Sequence, residues 1–372
     1  MIKILFLIPT LGHGGAEKVL VNLVNNMNKK IFDITIKTIF DVGVNKQFLN
    51  SKINYEYFFK KSFRGNSHIF KLFSSSYLYK KMIKDKYDIV VSYLEGPTAR
   101  IIAGCDDDTK LVSWIHCTMH DKKEFSIGFR NYLEADNSYK KFDRCIFVSE
   151  DVKNHFLEIC NREDGNLVLY NPIESDMILR KSKELINNKI FTDSKGIKLI
   201  AVGKITPVKG FDRLARIHKR LIEDGYRIQT FILGVGEEKG DIEKYISKEG
   251  IKDTFHFLGY HTNPYKYVKN SDLFICSSLS EGFSTAISEA LIVGTPIVST
   301  DVSGVKDLLG KNEYGLITKN NESSLYKGIK YMLDNPDMLE YYKIKARERS
   351  KYIEKERTIY LIEKMFTELV EK

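Results

Sequence analysis

No apolar run in the 372 residues approaches the ~20 needed to span a bilayer, which excludes a helical membrane span. The opening MIKILFLIPTL runs into GHGGAEK, without the small-residue cleavage site of a secretory leader, and reads as a first strand. Five cysteines (Cys105, Cys117, Cys145, Cys160, Cys276) are scattered without a CxxC pair, so neither a disulfide framework nor a cysteine zinc site is expected. Reduced thiols in a cytoplasm fit that usage. Repeats at solenoid periods and low-complexity segments are also missing. What remains has 43% hydrophobic and 29% charged residues, the balance of a soluble globular protein.

The length exceeds the roughly 250–300 residues at which one hydrophobic core stops growing, so two domains with a cleft between them are expected. Short β-rich runs alternate with helix-period segments throughout, the pattern of an α/β chain whose parallel sheets are covered on both faces. In the first half the strands read as Ile2–Ile8, Ile34–Phe40, Asp88–Tyr93, Lys110–Ile115, Arg144–Val148 and Leu167–Tyr170. A polar, lysine-rich stretch from Glu174 to Lys195 marks the join. A second series follows at Ile197–Val202, Gln229–Leu233, Thr254–Leu258, Leu273–Cys276, Pro296–Ser299 and Gly315–Thr318, and helices close the chain. The expected domains are 1–180 and 195–350, with 351–372 a helix returning to the first.

Basic residues exceed acidic ones by 58 − 49 = +9. Much of the excess is local: from Tyr57 to Tyr87, eight basic residues (Lys60, Lys61, Arg64, Lys71, Lys80, Lys81, Lys84, Lys86) face one acid, Asp85. Aromatic residues are interleaved with them, among them Phe63, Phe70, Phe73 and Tyr77. That mixture suits an anionic membrane surface or a charged acceptor, and equally a core helix with a solvated lysine face. Nucleic acid is the weaker alternative.

Three turns carry chemistry. Leu11-Gly12-His13-Gly14-Gly15-Ala16-Glu17 joins the first strand to a helix, where free backbone N–H groups can approach a phosphate or where glycines simply permit a tight turn. Gly203-Lys204, four residues, then Lys209-Gly210 sets two ammonium groups before a helix, suited to a diphosphate or to solvent. Glu281 and Glu289 bracket Gly282, Phe283, Ser284 and Thr285, where a helix opens. Glu289 then lies about 7–8 Å along that helix. Two carboxylates flanking a helix N-terminus match a ligand with hydroxyls at both ends and a diphosphate between, although a capping acid plus a surface acid have the same spacing. A dinucleotide oxidoreductase is the rival, with Asp41 as ribose ligand, but G-x-G-G departs from G-x-G-x-x-G. A non-catalytic nucleotide or nucleic-acid binder is the other alternative.

The E-x7-E spacing, the G-K-x4-K-G turn, GGAE after the first strand and GTPIVSTDVSG together resemble family 4 retaining glycosyltransferases over nearly the full chain. The resemblance implies a GT-B fold, two Rossmann-like domains facing across a cleft, and a nucleotide-sugar donor, UDP-sugar by preference. Together with the basic aromatic segment it favours a saccharide or lipid-linked saccharide acceptor of surface polysaccharide or glycolipid synthesis, and a cytoplasmic protein peripheral to the inner face of the cell membrane is expected. Carried onto this sequence, Lys204 and Lys209 bind the diphosphate, Glu281 the transferred sugar and Glu289 the ribose. Gly14 and Gly15 face the phosphates, Tyr260 lines the base pocket, and His116 lies near the sugar. Gly203, Gly282, Phe283, Ser284 and Thr285 complete the donor set; Glu281, His116 and Lys209 stand at the reacting centre. Lys204 departs from the commoner arginine and lacks its bidentate fork. Neither cofactor nor divalent ion is expected: Asp106-Asp107-Asp108 reads as a turn, and His116 with His120 follows a strand rather than an HExxH helix.

Overall fold

The computed structural model describes residues 1–63, 66–353 and 355–371; Arg64 of the basic segment lies outside them. The chain divides into two compact units, Met1–Pro172 with the segment from Lys355 onward, and Ile173–Glu354. The first unit therefore ends before residue 180. Residues 173–180, expected in the first domain, belong to the second, because Ile173 and Ile178 are buried against Ile287, Ala290 and Leu291 of its core. A boundary inferred from missing strands falls late when the first element after it is a helix, here Ser175–Lys181.

In the first unit β1 (Ile2–Ile8), β2 (Phe32–Phe40), β3 (Asn54–Phe59), β4 (Ile89–Tyr93), β5 (Lys110–Ile115), β6 (Arg144–Phe147) and β7 (Asn166–Val168) form one sheet. Its order is β3-β2-β1-β4-β5-β6-β7, with every pair parallel. β1, β4 and β5 are nearly continuous buried apolar runs, as strands covered on both faces must be. β3 adds to the expected strands. It is an edge strand, half-exposed, and its Asn54-Tyr55-Glu56-Tyr57 start lacks an apolar run.

The second unit repeats the plan with β8 (Ile197–Val202), β9 (Ile228–Leu233), β10 (Phe255–Gly259), β11 (Leu273–Cys276), β12 (Ile297–Thr300) and β13 (Leu316–Thr318). The order is β10-β9-β8-β11-β12-β13, again all parallel. Leu199 and Ala201 face one buried cluster and Ile200 the other, so β8 is sandwiched between two helical layers. The helix Phe211–Glu223 supplies Phe211, Leu214, Ala215 and Leu221 to the first of these. In each sheet the strand order reverses once, between β1 and β4 and between β8 and β11. Ligands of doubly wound sheets bind where such a reversal splays the loops at the carboxyl ends of the strands.

The C-terminal helix Lys355–Glu371 covers part of the first sheet with Ile359, Ile362, Met365, Phe366 and Leu369, an i, i+3 stripe. Phe366 meets the Phe6 ring edge-on at 6.0 Å and the Phe32 ring at 6.4 Å. Phe6 in turn lies 6.0 Å from Tyr93 at the end of β4. Phe366→Ala should destabilise the first unit by about 3–5 kcal/mol. The check is the first unit's denaturant midpoint, with Tyr360→Ala on the solvent face as a control that should stay within about 0.5 kcal/mol of the parent.

Candidate active site

In the second unit β8 ends at Val202, and the chain crosses Gly203-Lys204 into a single 3-10 turn, Pro207–Lys209. Gly210 then takes a left-handed conformation (φ +61°) and starts the helix Phe211–Glu223. A Cβ at Gly210 would stand 2.3 Å from the Ser277 carbonyl oxygen, so only glycine lets the two loops approach this closely. The loops are laced together: Leu279 N–H donates to Val208 O at 2.7 Å, and Ser277 Oγ–H to Lys209 O at 2.9 Å.

That lacing brings Lys209 to Glu281, with Nζ 2.6 Å from Oε1. Ser278 Oγ–H donates to the same oxygen at 2.6 Å. Both charged side chains are largely shielded, 26% and 11% exposed, which strengthens the charge-assisted bond. Beneath them Arg213 is buried with no carboxylate on its guanidinium among the described residues; it donates to Ser277 O at 2.7 Å and Ser278 O at 2.6 Å. Burial pulls its pKa down. Thr300 Oγ1–H also donates to Ser278 O, at 2.7 Å. The Glu281 loop is thus fixed by β12 and by the Phe211 helix before any ligand arrives.

Ser284 is the N-cap of the helix Thr285–Val293, its hydroxyl accepting from Ile287 N–H at 3.4 Å. The free N–H groups of this terminus and the helix dipole favour an anion. Gly282 is buried and Phe283 half-buried in the turn before it, and Glu289 is buried inside the helix. Lys204 is exposed, as is Tyr260 just after β10.

In the first unit Gly14 is the N-cap of the helix Gly15–Asn26, and Glu17 folds back over it: a Cβ at Gly14 would lie 2.1 Å from Glu17 Oε2. Gly43 (φ +134°) presses on the same loop, leaving no room for a Cβ beside Leu11 O. At the neighbouring strand end Leu94 has φ +139° and Gly96 φ +84°. For leucine that backbone costs on the order of 1–3 kcal/mol, strain of a kind that gathers at functional sites.

His116 follows β5 directly. Its ring lies 4.7 Å from that of Tyr93 and is stacked 6.4 Å from Trp114, and its Nε2 is buried with no hydrogen-bond partner. Burial pushes its pKa down to about 3, so the imidazole is neutral at physiological pH. Its backbone N–H donates to Glu95 Oε2 at 3.0 Å.

Asp107 accepts from Thr109 N–H at 3.0 Å and from the Cys105 thiol at 3.1 Å, so the triple aspartate is a turn. His120 packs edge-on to His155, 5.5 Å away. Among the described residues no group of three or more His, Cys, Asp or Glu is arranged to hold a metal ion. Asp41, the acid that a dinucleotide reading requires at the end of β2, accepts from Tyr55 Oη–H at 2.7 Å and Lys46 Nζ at 2.8 Å.

A family model described as Glycosyltransferase Family 4 matches residues 13–176, and one described as Glycosyl transferases group 1 matches residues 182–349. The chain belongs to the family 4 glycosyltransferases. This glycosyltransferase is 29% identical over 377 residues to a Campylobacter jejuni relative, the N-acetylgalactosamine-N,N'-diacetylbacillosaminyl-diphospho-undecaprenol 4-alpha-N-acetylgalactosaminyltransferase; the match covers 95% of this chain and 96% of that one. The fold matches that of Anabaena HepE, solved with UDP and glucose, at a TM-score of 0.77 and 17% identity, covering 99% and 100% of the two chains. It also matches sucrose-phosphate synthase from Thermosynechococcus elongatus at 0.81 and 12% identity, covering 99% of each chain. The architecture is GT-B. The oxidoreductase and nucleic-acid alternatives give way to this membership.

Three residues at the two strand ends escape the sequence reading. Ser278 and Arg213 hold the Glu281 loop, and Glu95 holds the backbone of His116. Arg213 carries a signal in hindsight: it neighbours Leu214 on a helix whose buried face is otherwise apolar apart from His218. Glu95 carries none, being one acid in a loop.

Two histidines make stability pH-dependent. His116 and His218 both have pKa values lowered by burial from 6.5 to about 3. The unfolded imidazoles bind protons below about 6.5 while the folded ones do not until about 3, so acidification across that window favours unfolding. His218 lies between Thr230 and Thr254 hydroxyls at 2.7 and 2.9 Å. Denaturant midpoints should fall from pH 7 to pH 4, and the fall should shrink in a folded His218→Gln variant; an unchanged slope contradicts the assignment.

Proposed function

We propose that this glycosyltransferase moves a sugar from a UDP-sugar, with retention of anomeric configuration, to a saccharide or lipid-linked saccharide acceptor in surface polysaccharide or glycolipid synthesis. The observation that carries the reading is the shielded Lys209–Glu281 pair, set beside the N-terminus of the Thr285–Val293 helix. An ammonium, a carboxylate and a set of free N–H groups at one strand end offer a diphosphate its counter-charge and a sugar hydroxyl its acceptor.

On this reading Lys209, assisted by Lys204, Gly203 and the Ser284–Thr285 backbone, neutralises the departing diphosphate. Glu281 holds the transferred sugar, Glu289 the ribose, and Tyr260 the base. Gly14 and Gly15 face the phosphates, and the neutral His116 lies near the sugar. Breaking the bond from anomeric carbon to phosphate oxygen leaves an oxocarbenium-like centre, and the acceptor hydroxyl attacks it on the same face while its proton passes to the leaving diphosphate oxygen. No protein nucleophile and no divalent ion is needed. The UDP and glucose bound to the Anabaena structure support the donor, and the diphospho-undecaprenol acceptor and alpha linkage in the Campylobacter relative's name support acceptor and stereochemistry.

The basic aromatic segment supports a membrane-side acceptor. Leu72 is 77% exposed, and Phe73 and Tyr77 are also solvent-facing, among the lysines of helices Asn66–Leu72 and Ser75–Met82. Among the described residues no helix is long and apolar enough to cross a membrane. Arg100 and Arg130 fix the segment's backbone through Phe70 O, Phe73 O and Lys71 O at 2.9, 2.7 and 2.6 Å. Binding to anionic vesicles should fall steeply when Lys80 and Lys81 become Glu; failure of the parent protein to co-sediment would remove the membrane part alone.

The deciding experiment measures nucleoside diphosphate release from a panel of nucleotide sugars in the presence of EDTA. Release is expected from a UDP-sugar, with Lys209→Ala and Glu281→Ala each lowering it about 10²–10³-fold while circular dichroism stays native. Parent-level release from both variants would sink the assignment, and dependence on added magnesium would overturn metal independence.

A further inference from the structure

The loop that follows β4 is braced at Leu94 and at Gly96, on either side of one carboxylate, Glu95. The Leu94 carbonyl, on a residue at φ +139°, accepts from Ser92 Oγ–H and Thr98 Oγ1–H, both at 2.8 Å. Gly96 N–H points to Tyr139 Oη at 3.5 Å, and Gly128 presses on Gly96 so closely that a Cβ there would sit 2.6 Å from the Gly96 carbonyl carbon. Glu95, between them, takes His116 N–H at 3.0 Å, and the Cys117 N–H and thiol also bond to its carboxylate. A side chain is thus turned back across the strand ends to hold the backbone of β5's exit.

The ring of His116 is fixed from the other side by Tyr93 and Trp114, both fully buried. Its Nε2 has no partner. Glu95 reaches the His116 backbone and not its ring, so this is not a carboxylate–imidazole proton relay. We propose that Glu95 is a positioning residue for transfer: its carboxylate sets the β5 exit and with it the place of the His116 ring, whose Nε2 has no partner. The proposal rests on the transferase reading. The strain at Leu94 then has a use, because relaxing that backbone would swing the carboxylate away from the two N–H groups.

The test compares Glu95→Ala, Glu95→Gln, His116→Ala and the Glu95→Ala/His116→Ala double variant by kcat and donor KM. Glu95→Ala should lower kcat by the same factor as His116→Ala, on the order of tenfold to a hundredfold, with donor KM within about threefold of the parent. Glu95→Gln, whose amide oxygen still accepts an N–H, should recover to within about fivefold. The double variant should be no slower than His116→Ala alone, because both changes disable one device. Multiplying losses, or undiminished kcat in Glu95→Ala, would overturn the proposal.

A second readout needs no turnover. Maleimide labelling of the exposed Cys117, in a Cys105→Ser background, should speed up in Glu95→Ala and stay near the parent rate in Glu95→Gln. If Glu95→Ala does not fold, Glu95→Asp, which draws the carboxylate back by one methylene, takes its place with the same expectations for kcat and labelling. A parent that releases no nucleoside diphosphate from any donor defeats the transferase reading; an active parent whose Glu95 variants keep full kcat defeats only the role of Glu95.

Discussion

Parallel pairing sends the carboxyl end of every strand to one edge of its sheet, and the chemistry of both units depends on that constraint. Where the strand order reverses, adjacent loops leave in opposite directions and open a space lined by backbone N–H groups. In the first unit those loops are Pro9–Gly14 after β1 and Leu94–Gly96 after β4; in the second they are Gly203–Lys209 after β8 and Ser277–Glu281 after β11. Residues far apart in sequence become neighbours for this reason alone. Lys209 and Glu281, 72 positions apart, meet because β8 and β11 are hydrogen-bonded partners.

The two units fill these spaces differently. The second uses charge: an ion pair above and a guanidinium below, the latter spent on two backbone carbonyls. A buried guanidinium without a carboxylate is tolerable only if its N–H groups are satisfied, and the Ser277 and Ser278 carbonyls do that. The first unit uses shape and neutral groups. A strained leucine, close-packed glycines and an imidazole held neutral by burial form an edge whose half-buried acid, Glu95, is turned onto N–H groups. Burial raises the pKa of Glu95, and the N–H groups of His116 and Cys117 oppose that rise.

Sequence legibility follows from burial. β1, β5, β8 and β11 begin and end where the apolar runs do, because a strand covered on both faces is a continuous apolar segment. β3, half-exposed at an edge, has no such run, and its last three residues fall in the basic aromatic segment. Lys209, Glu281 and the Ser284 helix start were legible one by one from turn and cap chemistry, whereas the salt bridge between the first two depends on strand order. Glu95 was not legible and Arg213 shows only as a charge on an apolar helix face, since each acts on backbone atoms of a segment brought near only by the sheet. The same blindness displaced the domain boundary, which tertiary burial of Ile173 and Ile178 decides.

Lys204 and Lys209 share a loop but not a physical standing. The stem of Lys209 lies along Gly203, where a Cβ would be 3.6 Å from its Cδ and Cε, and its Nζ is tied to Glu281. Ordering a free lysine side chain costs up to about 2 kcal/mol. For Lys209 most of that is spent on folding, whereas exposed Lys204 must be ordered when an anion binds. The pairing has a second effect on the proposed reading. Glu281 partly neutralises Lys209 and repels a bare diphosphate, so the site favours a ligand whose sugar hydroxyls donate to Glu281 while its phosphates approach Lys209. A diphosphate that has lost its sugar forfeits the first interaction and regains the repulsion, which is the direction that product release requires.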